Sequence, residues 1–563
     1  WSSDVCSSDL IYYGGYTGYS YTNAITVNSA STTTYTLPSG VALSEDIAIT
    51  AFDGNATGTD DQINGYESWY ATANTTPLAP SALAADSSAR RVKLTWTAST
   101  STGVNAYYVY RSTDNSSFSY AGKSTTTSFV DSNLTAHTRY YYKVTAFDSL
   151  DLSYDNFGLE SVATSTVTAT PNRIVYVSNT GSNSNIGSFA SPKQTIVHSI
   201  DFISSGDSII LFRGQYNEIV DLKGKVALLS SRFVQTGDTS DISATVISGI
   251  NNGNPMLIQN TANSYISSMH IYGLTLQDAR IYVADLSPGN YTYTYKMSRS
   301  IIRNSGQPGT WGVIQVGSGG IFDSCVVYGL KGRYILSTGL YNSRPPIVSR
   351  SKFYDNSISI GASSTYSGES SVIFVGGTNK ARVVGNLIYR NRTSGIHIGG
   401  NGSDSMILVN NTVVLNEGYG IRFQTWGGVY TGVLMNNIIA YNKDLDLSGN
   451  TVTNGPSVYI KNNFLGATGI LAGNSLISQN NTILDTTGNI GGNPYFVDTT
   501  TNNFRLLGWS PGIAAGISNN YLTSLDLDGS IRINPYRSVP DLGAYESAFK
   551  FRAPVFKIGR AHV

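Results

Sequence analysis

The sequence has little charge and no long apolar run. Only 13% of its residues are charged, and the 36 basic side chains balance the 36 acidic ones. A nucleic-acid or anionic-membrane partner would favour a strong basic excess, so this balance argues against both. No stretch approaches the ~18 consecutive apolar residues that a membrane helix requires. We therefore expect no membrane-spanning segment.

Cysteine is also scarce, with Cys6 and Cys325 the only two in 563 residues. Cys6 lies in residues 1–10, which resemble a translated sequencing adapter, as does the end of residues 548–563. We exclude both adapter-like segments from the fold. Cys325 is then alone, so neither an intrachain disulfide nor a cysteine-based metal site is expected. We expect no metal and no other cofactor; a calcium ion stays an alternative that nothing in the sequence supports.

Glycine and tyrosine, in contrast, are abundant, with 57 and 38 residues. The hydrophobic fraction is 40% and the aromatic fraction 11%, which is enough for packed cores. Many turn-forming residues and only 5 methionines favour strands over helices. At this length we expect several domains, in an all-β fold.

Two related segments come first in the chain. The tetrapeptide Thr50–Asp53 recurs as Thr145–Asp148, and the flanking strands of the second copy alternate apolar and polar residues. Residues 77–172 resemble a fibronectin type III sandwich, and residues 11–76 resemble a partial copy of one. The resemblance implies a spacer or a binding platform. It implies no chemistry.

Two aromatic residues of the second copy carry this resemblance. Trp96 stands where the family has its core tryptophan. Tyr140, six residues after Leu134, stands where the family has its tyrosine corner. The first copy departs from the pattern, because no tyrosine precedes Ile47 and Ile49 at the corner position.

After Pro171 the composition changes. Ile174–Ser178 reads as a strand, Thr195–Ile203 as a short amphipathic helix and Ser208–Phe212 as another apolar strand. This order resembles the beginning of secreted right-handed parallel β-helix proteins, which include pectate-lyase-like enzymes. There the helix covers the open edge of the first coil, which would otherwise pair with another chain. We assign residues 173–488 to such a β-helix.

A ladder of Asn, Asp and Gly residues runs through this region. Each rung closes a short β-prone segment, and three positions before it stands a residue such as Thr275 or Phe353. The steps between rungs are 26, 25, 27, 35, 25 and 26 residues. A period in the twenties predicts one unit stacked on copies of itself, and the long step predicts a loop around Ser363–Ser371. The rungs are Asp278, Asn304, Gly329, Asn356, Asn391, Asn416 and Asn442.

Residues 489–547 break the period. They contain in order Asn493–Asp498, Ser510–Gly512, Asp526–Gly529 and Asp541–Glu546. Together these pieces resemble the C-terminal "choice-of-anchor Q" segment of secreted bacterial β-helix proteins, and we assign residues 489–547 as a cap of that type. Asp526-x-Asp528-Gly529 resembles the start of a calcium loop but lacks its downstream glutamate, so we interpret it as a tight turn.

One candidate site is a file of polar residues on successive coils. His397, Arg422 and Asp446 each stand between apolar residues at separations that match the repeat period. If the apolar neighbours point inward, the three side chains point outward as a base, a cation and an acid. Ser359 precedes them at the equivalent position one coil earlier. The alternative is that these are ordinary polar surface residues.

A second candidate is a basic cluster. It comprises Lys352, Arg382, Arg390 and Arg392. The β-helix lyase resemblance implies a Lys or Arg that takes a proton beside a uronic carboxylate, often next to calcium. Only Asp355 stands near as a ligand, so solvated arginines are the alternative interpretation. The paired aspartates of β-helix polygalacturonases are absent from this region of the sequence.

The family resemblances imply an extracellular or bacterial cell-surface protein in contact with long-chain polysaccharide. We expect a monomer. Because no catalytic constellation is clear, we favour a non-catalytic glycan-associated protein. The alternative is a polysaccharide lyase-like enzyme that acts on uronic glycans.

Overall fold

The computed structural model places the chain in two units, Trp1–Asn172 and Arg173–Val563. The residues described are 8–14, 21–29, 31–32, 34–39, 47–52, 68, 71–72, 76–148, 159–249, 258–259, 269–278, 281–283, 295–305, 312–317, 319–338, 344–358, 370–376, 380–400, 404–425, 430–449, 457–466, 483–485, 487–533, 535 and 537–549.

The first module consists of one antiparallel sheet in its described part. Its strands, in chain order, are Ser8–Tyr13, Asn23–Val27, Ala48–Phe52 and Ala71–Thr72. The first strand lies between the second and the third. Leu10 and Tyr12 pack with Ala48 in the core of this sheet. Excluding residues 1–10 from the fold was therefore wrong for Ser8–Leu10, because their backbone pairs with both neighbouring strands.

The second module is a sandwich of two antiparallel sheets, as predicted. One sheet contains Ser81–Ser88, Arg91–Thr97 and Ser128–Asp131. The other contains Val104–Ser112, Ser119–Ser124, Tyr140–Asp148, Leu159–Glu160 and Val167–Ala169. This arrangement confirms the fibronectin type III-like fold for residues 77–172.

The two aromatic residues that carried the resemblance occupy the expected places. Trp96 is buried in the module's core and its ring lies edge-on to that of Tyr107. The hydroxyl of Tyr140 accepts a hydrogen bond from the backbone N–H of Thr135 at 3.0 Å. This bond back to the backbone upstream is the tyrosine corner.

The second unit winds through three parallel sheets, which we call sheets A, B and C. From Met269–Tyr272 to Leu447–Gly449 the described strands pass from A to B to C, and the chain then returns to A one strand further along. In the described part, the strands of sheet A are Ile174–Val177, Asp207–Leu211, Ala227–Ser231, Met269–Tyr272, Tyr295–Ser298, Ile321–Asp323, Ile347–Ser349, Lys380–Val384, Asp404–Val409, Tyr430–Met435, Ser457–Lys461 and Ile483–Asp485. The parallel β-helix is thereby confirmed.

Sheets B and C complete the coils. The described strands of sheet B are Gly214–Tyr216, Thr245–Ser248, Thr275–Gln277, Ile301–Arg303, Val326–Tyr328, Lys352–Tyr354, Leu387–Tyr389, Thr412–Val414, Ile438–Ala440, Phe464–Leu465 and Ile490–Gly491. Those of sheet C are Ile281–Val283, Ile314–Val316, Tyr334–Ser337, Ser371–Val375, Ser394–Gly400, Ile421–Thr425 and Leu447–Gly449. In the first coils Val220–Asp221 pairs with Ile258–Gln259 as a separate ribbon.

The inward column of sheet B fills the centre of the coils. Side chains of this column are 0% exposed. It consists of Leu276, Ile302, Val327, Phe353, Ile388, Val413 and Ile439. Branched and aromatic side chains at these positions bury apolar area on every coil, and this burial drives the stacking.

The helices of this unit are short. They span Ile196–Ile200, Phe233–Thr236 and Ser240–Ala244. The first was predicted as Thr195–Ile203; Thr195 does cap it, but its C-cap is Asp201. Two of its backbone amides donate to the carboxylate of Glu218, at 3.0 and 2.9 Å. No helix of the described residues is long and apolar enough to cross a bilayer.

The predicted ladder combines two columns that lie one residue apart. Val326 pairs in register with Lys352 and not with Phe353, so the 27-residue step contains a shift. The in-register turn positions all have positive φ, which suits Asn, Asp and Gly. They are Asp278, Asn304, Gly329, Asp355, Arg390, Leu415 and Tyr441. Asn356, Asn391, Asn416 and Asn442 form the next column, where they are buried. Of the predicted loop Ser363–Ser371, only its last two residues are described, and Ser371 begins a strand of sheet C.

These buried asparagines bond to one another from coil to coil. The Nδ2 of Asn356 donates to Asn391 Oδ1 at 2.9 Å, and the same bond repeats from Asn391 to Asn416 and from Asn416 to Asn442. A second ladder at the turn between sheets A and B was missed. It comprises Asn386, Asn411, Asn437, Asn463 and Asn489, linked at 3.0, 3.0, 2.9 and 3.1 Å.

Residues 489–547, here called the C-terminal segment, cover the outer face of sheet B. Apart from Ile490–Gly491, they add no strand to the coils in the described part. Phe496–Asp498 and Asn503–Leu506 form a hairpin, and Phe504 packs with Leu542 against the outward residues of sheet B. The segment therefore covers a side of the β-helix. The predicted tight turn is also present, since Asp526 accepts from the backbone N–H groups of Asp528 and Ser530.

Candidate functional site

Two members of the predicted polar file are neighbours on sheet C. His397 pairs in register with Arg422 on the adjacent parallel strand. The flanking Ile396, Ile421 and Phe423 are buried, in agreement with the predicted alternation.

His397 is nevertheless closed to a large ligand. Its side chain is only 1% exposed. The ring of Phe374 lies edge-on to it at 5.4 Å, and Tyr334, which stacks on Phe374 at 4.2 Å, lies at 6.3 Å. Arg422 is half-buried, with its guanidinium 4.9 Å from the ring of Tyr419. Presentation of His397 to a sugar chain was therefore a wrong expectation, because this residue is almost fully buried.

Asp446 does not continue the file. The residue in register with Arg422 on the next strand is Ser448. Asp446 lies two residues earlier, is 0% exposed and accepts bonds from the backbone N and the Nδ2 of Asn442, both at 3.0 Å. It therefore terminates the first asparagine ladder. Its carboxylate replaces the amide oxygen that the next asparagine would supply, which is a structural role.

The predicted basic cluster is dispersed over different faces. Arg382 belongs to sheet A, where its guanidinium lies 5.8 Å from the ring of Tyr521. Lys352 begins a strand of sheet B. Arg390 stands at the turn after sheet B and donates to the Thr499 carbonyl at 2.7 Å.

The last two predicted residues are Arg392 and Ser359. Arg392 is exposed beside the turn that follows sheet B. Ser359 lies outside the described residues. The prediction grouped these basic residues because they are close in sequence, but the turns between sheets place them on different faces.

A pocket lies elsewhere, at the carboxyl ends of the first three strands of sheet A. Val177, Leu211 and Ser231 end these strands in register. The residues that follow them meet at one edge, as the carboxyl ends of adjacent parallel strands do in ligand-binding α/β sheets. They enclose a cavity of about 340 Å³. Its lining is Ser178, Asn179, Thr180, Phe212, Arg213, Arg232, Thr236, Asp238 and Asp241.

An insertion closes this pocket on one side. Later coils pass from sheet A to sheet B through a tight turn, such as Gly385-Asn386. Between Ser231 and Thr245 the chain instead forms the two short helices Phe233–Thr236 and Ser240–Ala244. The first ends at Gly237, whose φ of 69° suits glycine. The helices place Thr236, Asp238 and Asp241 opposite the strand ends.

One arginine holds both carboxylates of the pocket. The Nε of Arg213 donates to Asp241 at 2.5 Å, and its Nη2 donates to Asp238 at 2.8 Å. Thr236 donates its hydroxyl to the second oxygen of Asp241 at 2.7 Å. Hydrogen bonds from Ser240 lower the pKa of Asp238 below its usual value, and the Asp241 carboxylate raises that of Arg213. Both acids thus form ion pairs with the same guanidinium.

The second arginine is differently placed. The guanidinium of Arg232 lies 5.4 Å from the ring of Phe212 and 5.1 Å from that of Phe189, a cation–π arrangement. Among the described residues nothing accepts a hydrogen bond from its buried Nε. Arg232 thus lines the pocket beside these rings, whereas Arg213 is bound to the two aspartates.

The side chains of the pocket are suited to binding a ligand. It combines two planar cations, two carboxylates, an amide, three hydroxyl side chains and an aromatic ring. A general acid would need a carboxyl group whose pKa is raised, and Asp238 shows the opposite shift. In the described part of the chain, no group of three or more His, Cys, Asp and Glu side chains is arranged to hold a metal ion.

Sequence reasoning missed this pocket for a local reason. One predicted strand ends at Ser178 and another at Phe212, directly before Arg213. Two of the three strand ends that form the pocket could therefore have been recognised. Arg232 stands in a stretch without a repeat signal, because the insertion replaces the turn that the later coils share. Only the register of Leu211 with Ser231 brings it to the other two strand ends.

Comparison with known proteins finds likenesses to solved structures over part of the chain. No protein-family model matches the chain, and no curated protein matches it. An Fn3-like protein from Clostridium thermocellum is 26% identical over 17% of this chain and 92% of its own, with a TM-score of 0.14. The FN3tt structure is 20% identical over 18% of this chain and 99% of its own, with a TM-score of 0.15. A beta-1,2-glucanase from Parabacteroides distasonis is 24% identical over 18% of this chain, with a TM-score of 0.15, and the chain spans 13% of its length. The fold assignment therefore depends on the sheets and turns described above.

Proposed function

We propose that this protein is a non-catalytic polysaccharide-binding protein of the extracellular space or the bacterial cell surface. The pocket lined by Phe212, Arg213 and Arg232 is its glycan site. Arg232 supplies the donor for a sugar carboxylate or hydroxyl. The placement outside the cell follows from the resemblance of residues 173–547 to secreted β-helix proteins that end in a choice-of-anchor Q segment.

The observation that carries this proposal is the mixture of groups around one cavity. Sugar rings offer many hydroxyls and one or two apolar faces, so their sites combine planar hydrogen-bonding side chains with an aromatic ring. The volume of about 340 Å³ is at the lower end of ligand pockets. It suits one or two sugar residues at the end of a chain or a branch.

Binding without catalysis is the function that the candidate residues support. His397 is buried behind Tyr334 and Phe374, and Asp446 is bonded into the asparagine ladder. In the pocket, Arg213 forms ion pairs with both Asp238 and Asp241, and the lowered pKa of Asp238 does not suit a proton donor. A lyase needs an accessible base beside a bound uronic carboxylate, and these positions offer none.

Calorimetric titration with short oligosaccharides tests the proposal. We expect a uronic disaccharide to bind the full chain more tightly than the matched neutral disaccharide. Arg232→Ala should weaken uronic binding at least tenfold, and Arg232→Lys should restore part of it because the charge returns without the planar fork. Arg392→Ala, a change at an exposed arginine outside the pocket, is the control and should bind normally.

Two results would contradict the proposal. One is equal affinity of Arg232→Ala and Arg392→Ala for the uronic disaccharide, with circular dichroism showing both variants folded. The other is ultraviolet absorbance from unsaturated products when the protein is incubated with uronic polysaccharides. That second result would establish the lyase instead.

A further inference from the structure

The outer face of one sheet of the second module carries a contiguous aromatic patch. We call it the tyrosine face and define it as Tyr108, Tyr110, Tyr120 and Phe147. Tyr108 and Tyr110 are on Val104–Ser112, Tyr120 is on Ser119–Ser124, and Phe147 is on Tyr140–Asp148. These three strands are neighbours in the sheet, so the rings lie side by side.

The rings contact one another and are not in the core. Tyr108 stacks on Phe147 with centroids 4.6 Å apart, and it lies edge-on to Tyr120 at 5.7 Å. Tyr110 lies edge-on to Tyr120 at 6.1 Å. Tyr120 is 57% exposed. The core of the module instead uses Trp96 and other residues of the opposite faces. Single exposed aromatics need no explanation, but four in contact mark an interaction surface.

Charged groups surround the patch unequally. The exposed Lys123 places its Nζ 6.0 Å from the Tyr108 ring and 5.9 Å from the Phe147 ring. Among the described residues, Glu160 is an acid in contact with the face, and its Oε1 already accepts from Tyr110 at 2.6 Å and from Thr145 at 2.5 Å. The ammonium group can therefore pair with an incoming anion, whereas the carboxylate is already bonded to the module's own hydroxyls.

We propose that the tyrosine face binds an acidic polysaccharide chain. Aromatic faces accept the C–H surface of a sugar ring, tyrosine hydroxyls at the rim bond to its hydroxyls, and Lys123 pairs with a carboxylate along the chain. Because the rings lie on a sheet and not in a cavity, the ligand is an extended chain of several sugar residues. This site consists of different residues from those of the β-helix pocket, so the proposal for the tyrosine face does not depend on the proposal for the pocket.

Retardation of the full-length protein in native gels that contain polygalacturonate tests this inference. We expect wild type to be retarded, and Tyr120→Ala to weaken the apparent affinity at least fivefold. Tyr120→Trp keeps an aromatic ring and should retain binding. Tyr459→Ala removes another exposed tyrosine, which lies on sheet A and is 43% exposed, and serves as the control.

Further variants separate the charge, the pocket and other partners. Lys123→Gln should weaken retardation by polygalacturonate but not by a neutral polysaccharide such as dextran. Arg232→Ala should leave retardation by the long chain largely intact, because it alters only the pocket. The inference is overturned if wild type shows no retardation, if Tyr120→Ala behaves like Tyr459→Ala, or if Tyr120→Ala abolishes binding to a protein partner while polygalacturonate binding is unchanged.

Discussion

Asn437 joins three consecutive coils of the β-helix, so its removal measures what the ladder contributes. Its Nδ2 donates to the Leu408 carbonyl and to Asn463 Oδ1, both at 2.9 Å. Its Oδ1 accepts from the backbone N–H of Asn411 at 2.8 Å. The side chain is 0% exposed, so water cannot replace these partners.

Asn437→Ala leaves the buried backbone N–H of Asn411 without its acceptor and removes a second donor from the carbonyl of Leu408, which stays in the parallel ladder of sheet A. An unsatisfied buried hydrogen-bonding group costs about 1–3 kcal/mol. We therefore expect the free energy of unfolding of the β-helix to fall by about 1–3 kcal/mol. The fall is large beside ordinary surface substitutions, which stay within about 0.5 kcal/mol.

Guanidinium unfolding of the full chain, followed by far-ultraviolet circular dichroism, measures this difference. The chain contains several folded parts, so the β-helix transition must be fitted separately. A lower midpoint at unchanged slope reports lost stability. Asn217→Ala is the control, because Asn217 is exposed and its Oδ1 accepts a hydrogen bond from the exposed Gln215 side chain. Equal midpoints for the two variants would refute the reasoning.

Two further predictions concern Glu546 in the C-terminal segment and Tyr140 in the second module. Burial and the nearby Asp541 carboxylate raise the pKa of Glu546 to about 8. The folded state therefore binds the Glu546 proton more tightly than the unfolded state does. Because of this difference, the free energy of unfolding should fall as the pH rises from about 4.5 to about 8. In Glu546→Gln the midpoint should lose this slope, and an unchanged slope would contradict the assignment. Tyr140→Phe removes the bond to the Thr135 N–H and should cost the second module about 1–2 kcal/mol. Amide exchange at Thr135 should accelerate in that variant and stay normal in Tyr141→Phe.

The coil architecture was predictable because the same residue pattern recurs once per coil. Apolar residues recur at a spacing of about one coil, and positive-φ turns select Asn, Asp or Gly. The exact register was not predictable, because Arg390, Leu415 and Tyr441 occupy the same left-handed turn position as Asn304 and Gly329. The sequence search therefore followed the asparagines into the adjacent column.

The second asparagine ladder was predictable but overlooked. Asn411, Asn437 and Asn463 each follow another asparagine, and their spacing matches the period. The candidate sites were harder to predict, since accessibility depends on groups far away in sequence. His397 is buried by Tyr334 and Phe374, and Arg382 is separated from Arg390 by a turn between sheets.

The paired asparagines explain why the C-terminal segment lies where it does. The first asparagine of each pair is in the left-handed conformation, with φ of 56°, 57° and 50° at Asn410, Asn436 and Asn462. The amides of these three donate to backbone carbonyls of the segment at 2.9, 2.8 and 3.0 Å, and Asn436 also accepts from the Ile517 N–H at 2.9 Å.

The second asparagine of each pair points into the coil and belongs to the ladder. One dipeptide thus serves both the stacking of coils and the attachment of the segment. An earlier coil has Arg350 at the outer position, where it pairs with Asp323 at 2.5 Å. Moving the segment by one coil would place Gly385 where Asn410 now stands, and moving it by two coils would also bring in Arg350. Neither residue offers a side-chain acceptor for a backbone N–H. The register of the C-terminal segment is therefore specified by side-chain chemistry at the turn between sheets A and B, in addition to the apolar packing on sheet B.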